Sequence, residues 1–330
     1  MKLTLEQIRT MTHGALAVVQ DAEGKFEFRR FTDYQQSHYD EVKPDFGNKA
    51  HATSGVRLEF FTNSTKFAFD YHTVIASSRV FYYFDVFVDG VMVQHFGHDK
   101  IKEAKSTVTV KLDGGKHKVA IYLPCLSCAK LYNVTLDDDA IFEPVKKSRK
   151  LLCYGDSITQ GYDAQYSSQT YANLIADKLD AEMINQGIGG EVFRPELVDP
   201  ALDFDPDIIT VAYGTNDWNG RERDRMITMA NGFYAKLREA YPKAKIFAIT
   251  PIWRADNDRV TKVGTFAEGV QIVKDAALAQ EGVILVDGDR MIPHLREVCS
   301  DKYLHPNDYG FKFYANALFD AIKPHLGGEE

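Results

Sequence analysis

The stretch Leu151-Leu152-Cys153-Tyr154-Gly155-Asp156-Ser157 decides the fold of the second half of this chain. Its four apolar residues predict a short buried strand, and the Gly-Asp-Ser tripeptide ends that strand. The carboxyl edge of a parallel sheet is where open α/β folds bind their ligands. We therefore expect Ser157 at that edge, either as a nucleophile or as the N-cap of a helix.

Strand-like and helix-like segments alternate throughout residues 148–330. This alternation is typical of a parallel sheet with helices on both faces, so we predict a three-layer α/β/α domain with a flavodoxin-like sheet. The predicted strands are 151–154, 183–185, 208–213, 246–250 and 283–286, and the predicted helices are 168–179, 221–240, 262–280 and 308–322.

Residues 1–147 show a different pattern, in which apolar residues alternate with polar ones in short runs. Asp89-Gly90 lies between two such runs, which is a strong hairpin signal, and Asp113-Gly114-Gly115 suggests a second hairpin. We therefore predict an antiparallel, jelly-roll-like β-sandwich. Its strands are expected at 56–60, 67–71, 81–88, 91–93, 107–112 and 117–123.

Composition excludes several classes of protein. The 330 residues carry a net charge of −8, whereas nucleic-acid-binding proteins show a basic surface. No apolar run approaches the roughly 20 residues that span a bilayer, and residues 1–7 lack the apolar core of a signal peptide. We therefore expect a cytoplasmic protein with neither a membrane nor a nucleic-acid partner. Cys125 and Cys128 form a single CxxC pair, a weak signal for zinc or redox chemistry.

Three further residues follow predicted strands and suit acyl chemistry. The backbone N–H of Gly190 and the side-chain amide of Asn216 are hydrogen-bond donors that, with the Ser157 N–H, could surround one developing oxyanion. Taken alone, the glycines before Glu191 could equally form a tight turn. His305 precedes the last predicted helix and is the candidate base; His294 is its rival, although its surroundings resemble the start of a helix.

These four residues resemble the SGNH (GDSL-type) hydrolases, whose name lists a serine, a glycine, an asparagine and a histidine in four ordered motifs. The resemblance covers roughly residues 148–325. It implies that Ser157 is the nucleophile, that Gly190 and Asn216 belong to the oxyanion hole, and that His305 is the base. An α/β-hydrolase would need a Gly-x-Ser-x-Gly elbow, which Ile158-Thr159 does not provide.

The chain departs from the family pattern at the third member of the triad. The family places an aspartate three residues before the histidine, where this chain has Lys302, and Asp301 stands four residues before His305. Either the loop bulges so that Asp301 reaches the imidazole, or a backbone carbonyl orients the ring and the site is a Ser–His dyad. We expect Asp301 to complete the triad.

The order of the two halves resembles that of family-two carbohydrate esterases and of some SGNH acyltransferases. The resemblance implies a serine esterase that removes a short acyl group, such as an O-acetyl group, from a carbohydrate or other small alcohol without a metal or organic cofactor. The alternatives are an acyltransferase and a non-catalytic carbohydrate-binding protein. Candidate substrate contacts are Trp218, Trp253 and Arg254. The sequence leaves the natural substrate and the oligomeric state open.

Overall fold

The computed structural model describes residues 1–327. The chain divides into two compact units. The first contains Met1–Lys147 together with Tyr166–Ser168, and the second contains Ser148–Gln165 and the chain from Gln169 onward. The segment Tyr166–Ser168 therefore joins the first unit, although it lies within the range predicted for the second.

The first unit is built from two antiparallel sheets. One has the strand order β1-β4-β9-β6-β7, with β11 also paired to β4, and the other has the order β2-β3-β10-β5-β8. The strands are β1 (Thr12–His13), β2 (Ala17–Gln20), β3 (Phe26–Arg29), β4 (Arg57–Thr62), β5 (Lys66–Ile75), β6 (Tyr82–Val88), β7 (Val91–His98), β8 (Glu103–Lys111), β9 (His117–Tyr122), β10 (Ser127–Leu136) and β11 (Glu143–Pro144).

Alternation along the strands places one apolar face of each sheet in a common core. Phe67 and Phe69 of β5, in one sheet, contact Phe60 of β4 and Phe84 of β6, in the other, at ring-centroid distances of 5.1 and 6.3 Å respectively. Side chains two residues apart on a strand face the same side, which is why this spacing of phenylalanines fills one core.

The two predicted hairpins have different outcomes. Asp89 (φ 50°) and Gly90 (φ 81°) form a tight turn between the antiparallel neighbours β6 and β7, so the first hairpin is confirmed. The second is wrong, because β8 pairs with β5 while β9 pairs with β4 and β6. The turn at residues 113–115 therefore leads the chain from one sheet to the other.

Three helices of the first unit were not predicted. They are α1 (Leu5–Met11), α2 (Asp33–Val42) and α3 (Pro44–Ala50). The side chains of Thr4 and Thr32 each accept a hydrogen bond from the backbone N–H three residues on, and a glutamine there completes a capping box. This Thr-x-x-Gln pattern is the sequence signal that would have found α1 and α2.

The second unit is built around a parallel sheet whose strand order is β13-β12-β14-β15-β18. Its strands are β12 (Arg149–Gly155), β13 (Ala181–Gly187), β14 (Ile208–Ala212), β15 (Lys245–Ile249) and β18 (Val283–Val286), and β16 (Val260–Thr261) with β17 (Gly264–Thr265) forms a separate small ribbon. The α-helices are α4 (Ser157–Gln160), α5 (Tyr171–Lys178), α6 (Thr215–Gly220), α7 (Arg223–Ala240), α8 (Phe266–Leu278) and α9 (Asp308–Ile322). Short 3-10 turns cover Pro195–Leu197, Gly288–Arg290, Arg296–Val298 and Lys323–His325, and a further one, Ser167–Gln169, begins in the first unit and ends in the second.

The two faces of this sheet bury different side chains of the same strands. Leu151 and Cys153 of β12 lie in a core that includes residues of α5 and α9. Tyr154, which points to the opposite face, contacts Phe233 of α7 edge-to-face at 5.5 Å. Counted by order along the chain, the strands run 2-1-3-4-5, which is the flavodoxin-like order. The predicted fold class, an antiparallel β-sandwich followed by a three-layer α/β/α domain, is confirmed.

Within residues 1–327, none of the helices combines the length and the apolar character needed to cross a bilayer. All four cysteines of the chain are free thiols; Cys125 is buried, and burial raises the pKa of the half-buried Cys128 to about 11. The two cysteines therefore form no disulfide, and Cys128 lacks the lowered thiol pKa of a reactive redox motif.

Candidate active site

Ser157 lies at the carboxyl edge of the parallel sheet, where β12 turns into α4. Asp156 is the N-cap of this helix, and its carboxylate accepts a 2.9 Å hydrogen bond from the Ile158 N–H. The alternative prediction that Ser157 caps the helix is therefore wrong. A Cβ added to Gly155 would lie 1.9 Å from the Thr159 hydroxyl oxygen, so glycine permits this close strand-to-helix turn. The turn leaves Ser157 as the first residue of α4, only 5% exposed.

The structure brings three of the predicted site residues into one hydrogen-bonded line. Ser157 Oγ lies 2.9 Å from Nε2 of His305, and Nδ1 of His305 lies 2.7 Å from Oδ2 of Asp301. This pattern assigns the imidazole proton to Nδ1 and leaves Nε2 as the acceptor for the serine proton. The three side chains thus lie within the distances that a nucleophile, a base and an orienting carboxylate require.

The loop before α9 explains how an aspartate four residues before the histidine reaches its ring. Lys302 has a φ of 60°, a left-handed conformation that reverses the chain directly after Asp301. Asp301 Oδ1 then accepts hydrogen bonds from the N–H groups of Tyr303 (2.9 Å), Leu304 (2.8 Å) and His305 (3.2 Å). The loop bulges, as one of the two predicted alternatives required.

The charge of Asp301 is strongly stabilised by this arrangement. Partial burial alone would raise the pKa of its carboxyl, but the hydrogen bonds from the His305 ring and from the Leu304 and Tyr303 amides outweigh that effect. The pKa of Asp301 is consequently held well below its usual range. The carboxylate is ionised at every pH at which the imidazole can act as a base.

The predicted oxyanion donors are the backbone N–H groups of Ser157 and Gly190 and the side-chain amide of Asn216. Within the described part of the chain, neither the Ser157 N–H nor the Gly190 N–H has a hydrogen-bond acceptor. Gly190 adopts a φ of 89°, which glycine accepts without strain. Asn216 Nδ2 donates to the Glu191 carbonyl at 2.9 Å and makes only a long, 3.5 Å contact with the Asp156 carboxylate. Its second amide hydrogen therefore remains available to a substrate oxygen.

Two buried carboxyl groups lie beside these donors. Burial raises the pKa of Asp156 to about 6, against the lowering effects of the Ile158 N–H, His305 and Arg254. Burial likewise raises the pKa of Asp217 to about 7, although Arg221, 3.3 Å away, favours the charged form. The site is therefore set in a poorly solvated environment, in which electrostatic effects are stronger than in water.

Arg254 was predicted to contact substrate, but it is 2% exposed and its guanidinium is occupied by protein groups. It pairs with Asp256 at 2.6 Å, donates to the Thr215 hydroxyl at 2.9 Å and donates to the Tyr303 hydroxyl. Thr215 precedes Asn216, and Tyr303 lies in the bulged loop that carries His305. The burial argues against substrate contact and instead makes Arg254 a brace between these two loops.

Trp218 is also unsuited to its predicted contact with substrate. Its side chain is fully buried, its indole N–H donates to the Gly264 carbonyl at 3.0 Å, and its ring packs edge-to-face on Phe266 at 5.1 Å. The Arg254 guanidinium lies 4.8 Å from its ring centroid. Trp218 is therefore a core residue that supports Arg254.

Trp253 and His294 form a stacked pair on the surface of the second unit. Their ring centroids lie 5.6 Å apart with an interplanar angle of 11°; Trp253 is half-buried and His294 is exposed. His294 also lies 3.0 Å from the Asp289 carbonyl through its Nε2 atom. The imidazole that contacts Ser157 is therefore that of His305, and the role predicted for Trp253 stays a prediction.

One group of potential metal ligands lies within the site. Atoms of Asp163, Asp301 and His305 lie within 4.8 Å of one another. When Nδ1 of His305 donates its proton to Asp301, this nitrogen has no lone pair to offer a cation. The arrangement suits a catalytic triad, and the proximity of Asp163 was not foreseen because no local sequence pattern links it to His305.

Comparisons with known proteins add a family and a set of shared folds. Residues 153–313 match the model of the GDSL-like lipase/acylhydrolase family. None of the curated proteins matches the chain. Among solved structures, the chain is similar to the salicylyl-acyltransferase SsfX3 from a tetracycline biosynthetic pathway, with 23% identity over 95% of this chain and 94% of that chain and a TM-score of 0.82.

Two further structures share the fold. A GDSL-like lipase from Bacteroides ovatus, described as putative, has 16% identity over 99% of this chain and 98% of its own, with a TM-score of 0.74. A family-two carbohydrate esterase from Clostridium thermocellum, solved with cellohexaose, has 19% identity over 84% of this chain and 94% of its own, with a TM-score of 0.62. At these identities the similarities establish the fold alone.

Proposed function

Residues 153–313 form a domain of the GDSL-like lipase/acylhydrolase family, and from this premise we propose that the protein is a serine esterase that hydrolyses short acyl esters. The observation that carries the proposal is the line of contacts from Ser157 Oγ through the His305 ring to Asp301, at 2.9 and 2.7 Å. Neighbouring N–H groups at the same sheet edge provide the donors that such chemistry needs.

The proposed reaction has two halves. Ser157 Oγ attacks the ester carbonyl while Nε2 of His305 takes the hydroxyl proton, and the resulting imidazolium then protonates the leaving alcohol. A water molecule next attacks the acyl-enzyme, with His305 again accepting and returning one proton, so that the carboxylic acid leaves and the serine is regenerated. Asp301 keeps the proton on Nδ1 in the resting state and stabilises the imidazolium, without accepting the proton itself.

The N–H groups of Ser157 and Gly190 and the amide of Asn216 stabilise the tetrahedral intermediate. They offer hydrogen bonds to the carbonyl oxygen as it becomes an anion, and their positions are fixed before the reaction begins. Removal of one such donor costs about 3 kcal/mol of transition-state stabilisation in a comparable serine enzyme.

We propose an O-acetyl group on a carbohydrate as the substrate. Trp253 supports this choice, because a partly exposed indole offers an apolar face on which a sugar ring can pack. The Clostridium thermocellum carbohydrate esterase, which shares the fold, was solved with a bound oligosaccharide.

Acyl transfer is the second candidate function. The same acyl-enzyme would then be resolved by an acceptor alcohol in place of water. The observation that favours it is the similarity to the salicylyl-acyltransferase, which extends over 95% of this chain at a TM-score of 0.82, compared with 84% and 0.62 for the carbohydrate esterase. The hydrogen-bonded serine and histidine argue against a third reading, a non-catalytic carbohydrate-binding protein.

The test is a substrate screen with the purified full-length chain. Acetate release from a chromogenic acetate ester and from acetylated sugars is compared with acid release from longer acyl esters, and products are analysed with and without an added acceptor alcohol. The proposal predicts free acetic acid as the main product and faster turnover of acetyl than of long-chain esters. Transfer of the acyl group to the alcohol would support the second candidate, and the lack of any turnover would contradict both.

A further inference from the structure

Asp163 brings a second carboxylate to the His305 ring. Its Oδ2 lies 3.9 Å from Nδ1 of His305, on a different loop from Asp301, and its side chain is only 9% exposed. The distance is too long for a direct hydrogen bond, and Asp301 already accepts the Nδ1 proton at 2.7 Å. Asp163 can therefore act on the imidazole through its charge.

The backbone holds Asp163 in an unusual conformation. Its φ is 71°, in the left-handed region that residues other than glycine seldom adopt. The turn is anchored on the nucleophile, because the Tyr162 N–H donates to the Ser157 carbonyl at 2.9 Å. It is also tied to the loop of the base, because the Ser300 hydroxyl donates to the Asp163 carbonyl at 3.3 Å. These two hydrogen bonds hold the Asp163 backbone between the turn of Ser157 and the loop that carries His305.

A cation forms near the Asp163 carboxylate during the proposed reaction. In the proposed reaction the cation that forms next to Asp163 is the imidazolium of His305, present whenever the ring holds the serine proton. Because the surroundings are poorly solvated, a charge at 3.9 Å is screened much less than it would be on the surface.

We propose that Asp163 is a positioning residue of the active site, a second carboxylate that stabilises the His305 imidazolium while Asp301 fixes the orientation of the ring. The proposal rests on the serine-esterase function proposed above. Asp163 touches neither the substrate nor the transferred proton. It lowers the energy of the two steps in which the ring is charged, the formation and the breakdown of the acyl-enzyme.

The other groups around the ring define what a pH experiment would report. Asp301 is ionised throughout the working range, and Asp156, near the ring, titrates at about 6. The ring of Tyr162 lies 5.6 Å from that of His305. Removal of the Asp163 charge is therefore expected to shift the titration midpoint of the His305 ring. The titration of Asp156 is expected to stay the same in every variant.

The experiment compares Asp163→Asn and Asp163→Gly with the wild-type chain. Both replacements suit a left-handed residue, so they remove the charge and keep the turn. The control is Asp180→Asn, because Asp180 is also left-handed (φ 46°) but directly precedes β13, at the opposite edge of the sheet from Ser157. The readouts are an NMR titration of the His305 ring and the pH profile of kcat/KM on a chromogenic acetate ester.

In both Asp163 variants the midpoint of the His305 titration and the acid limb of kcat/KM should move down by about one pH unit, and kcat should fall about tenfold. Asp180→Asn should leave both unchanged. An unchanged midpoint in both Asp163 variants would overturn the proposal, even if activity fell. Because the NMR titration needs no turnover, a shifted midpoint in a chain that hydrolyses no ester would refute the esterase function and leave Asp163 as a partner of His305.

Discussion

Nδ1 of His305 donates a 2.7 Å hydrogen bond to Asp301, although these residues are four positions apart and Lys302 stands where an aspartate would be expected. The left-handed conformation of Lys302 absorbs the extra residue, and three backbone N–H groups hold the carboxylate in place. The geometry therefore supports a triad over a serine–histidine dyad, and each part of this site can be tested by substitution.

Asp301→Asn should lower kcat on the order of 10³-fold. The asparagine amide would present a donor or a weaker acceptor to Nδ1, so the ring would no longer be held in the tautomer that leaves Nε2 free to accept a proton. The negative charge that stabilises the imidazolium would also be lost. The same change lowers kcat by about 10⁴ in a serine protease. The measurement is kcat on a chromogenic acetate ester, with folding checked by circular dichroism. Asp320→Asn, an exposed change on α9, is the control. Wild-type turnover by the Asp301 variant would reject the triad.

Tyr303→Phe should reduce kcat about tenfold and leave KM nearly unchanged. The Tyr303 hydroxyl donates to Asp256 at 3.0 Å and accepts from Arg254, so its loss would loosen the loop that carries His305 without touching substrate. A small misplacement of a catalytic group is sufficient to slow the reaction by this amount. Tyr309→Phe, at a position 76% exposed, is the matched control. Equal kinetics for the two variants would show that the brace does not matter for catalysis.

Asp217→Asn should stabilise the second unit at pH 8 by about 1–3 kcal/mol, and less at pH 4.5. The pKa of Asp217 is raised to about 7 in the folded protein, whereas an unfolded aspartate loses its proton near pH 4. Between about pH 4 and pH 7 the folded state therefore holds a proton that the unfolded state has lost, so the stability of the folded state falls as the pH rises through this range. The measurement is urea unfolding followed by tryptophan fluorescence, because both tryptophans, Trp218 and Trp253, lie in this unit.

The control for this experiment is Asp224→Asn, an exposed substitution on α7. It should change the free energy of unfolding little at either pH. A variant of Asp217 that is less stable than wild type at pH 8 would show that the ion pair with Arg221 outweighs the cost of burial.

Trp253→Ala should raise KM for an acetylated sugar about tenfold while changing KM for a small chromogenic acetate less than twofold. An aromatic stacking surface contributes on the order of 1 kcal/mol to binding, and only the larger substrate would reach it. Trp253→Phe keeps an aromatic face and is the control. Equal effects on the two substrates would remove Trp253 from the binding site.

The sequence was sufficient to predict the parallel sheet and the four residues of the family motifs, because both are written in local patterns. Leu151–Tyr154 is a short apolar run that favours a buried strand, and Gly155 permits the turn that places Ser157 at the sheet edge. The strands β4 to β9 of the sandwich were predicted for the same reason, whereas β1, β2, β3, β10 and β11 were not. The pairing of β6 with β7 was predicted correctly, but the predicted pairing of β8 with β9 was wrong, since these strands are adjacent in sequence and lie in different sheets.

The supporting residues could not be predicted, because their roles arise from contacts between distant segments. Arg254 and Trp218 follow strands in the same way as Asn216 does, and only their burial distinguishes braces from substrate contacts. Asp163 is 142 residues from His305 in the sequence, and no periodicity connects them. The bulge at Lys302 was one of two alternatives that the sequence allowed.

The most direct test of the account is kcat for Ser157→Ala beside the wild-type chain, on the best ester found in the screen, with the unfolding midpoint measured for both. We expect a loss of at least about 10³-fold in kcat with little change in stability, because the hydroxyl forms the covalent bond and makes few other contacts. A folded Ser157→Ala variant that retains more than about a tenth of wild-type kcat would contradict the assignment of Ser157 as the nucleophile.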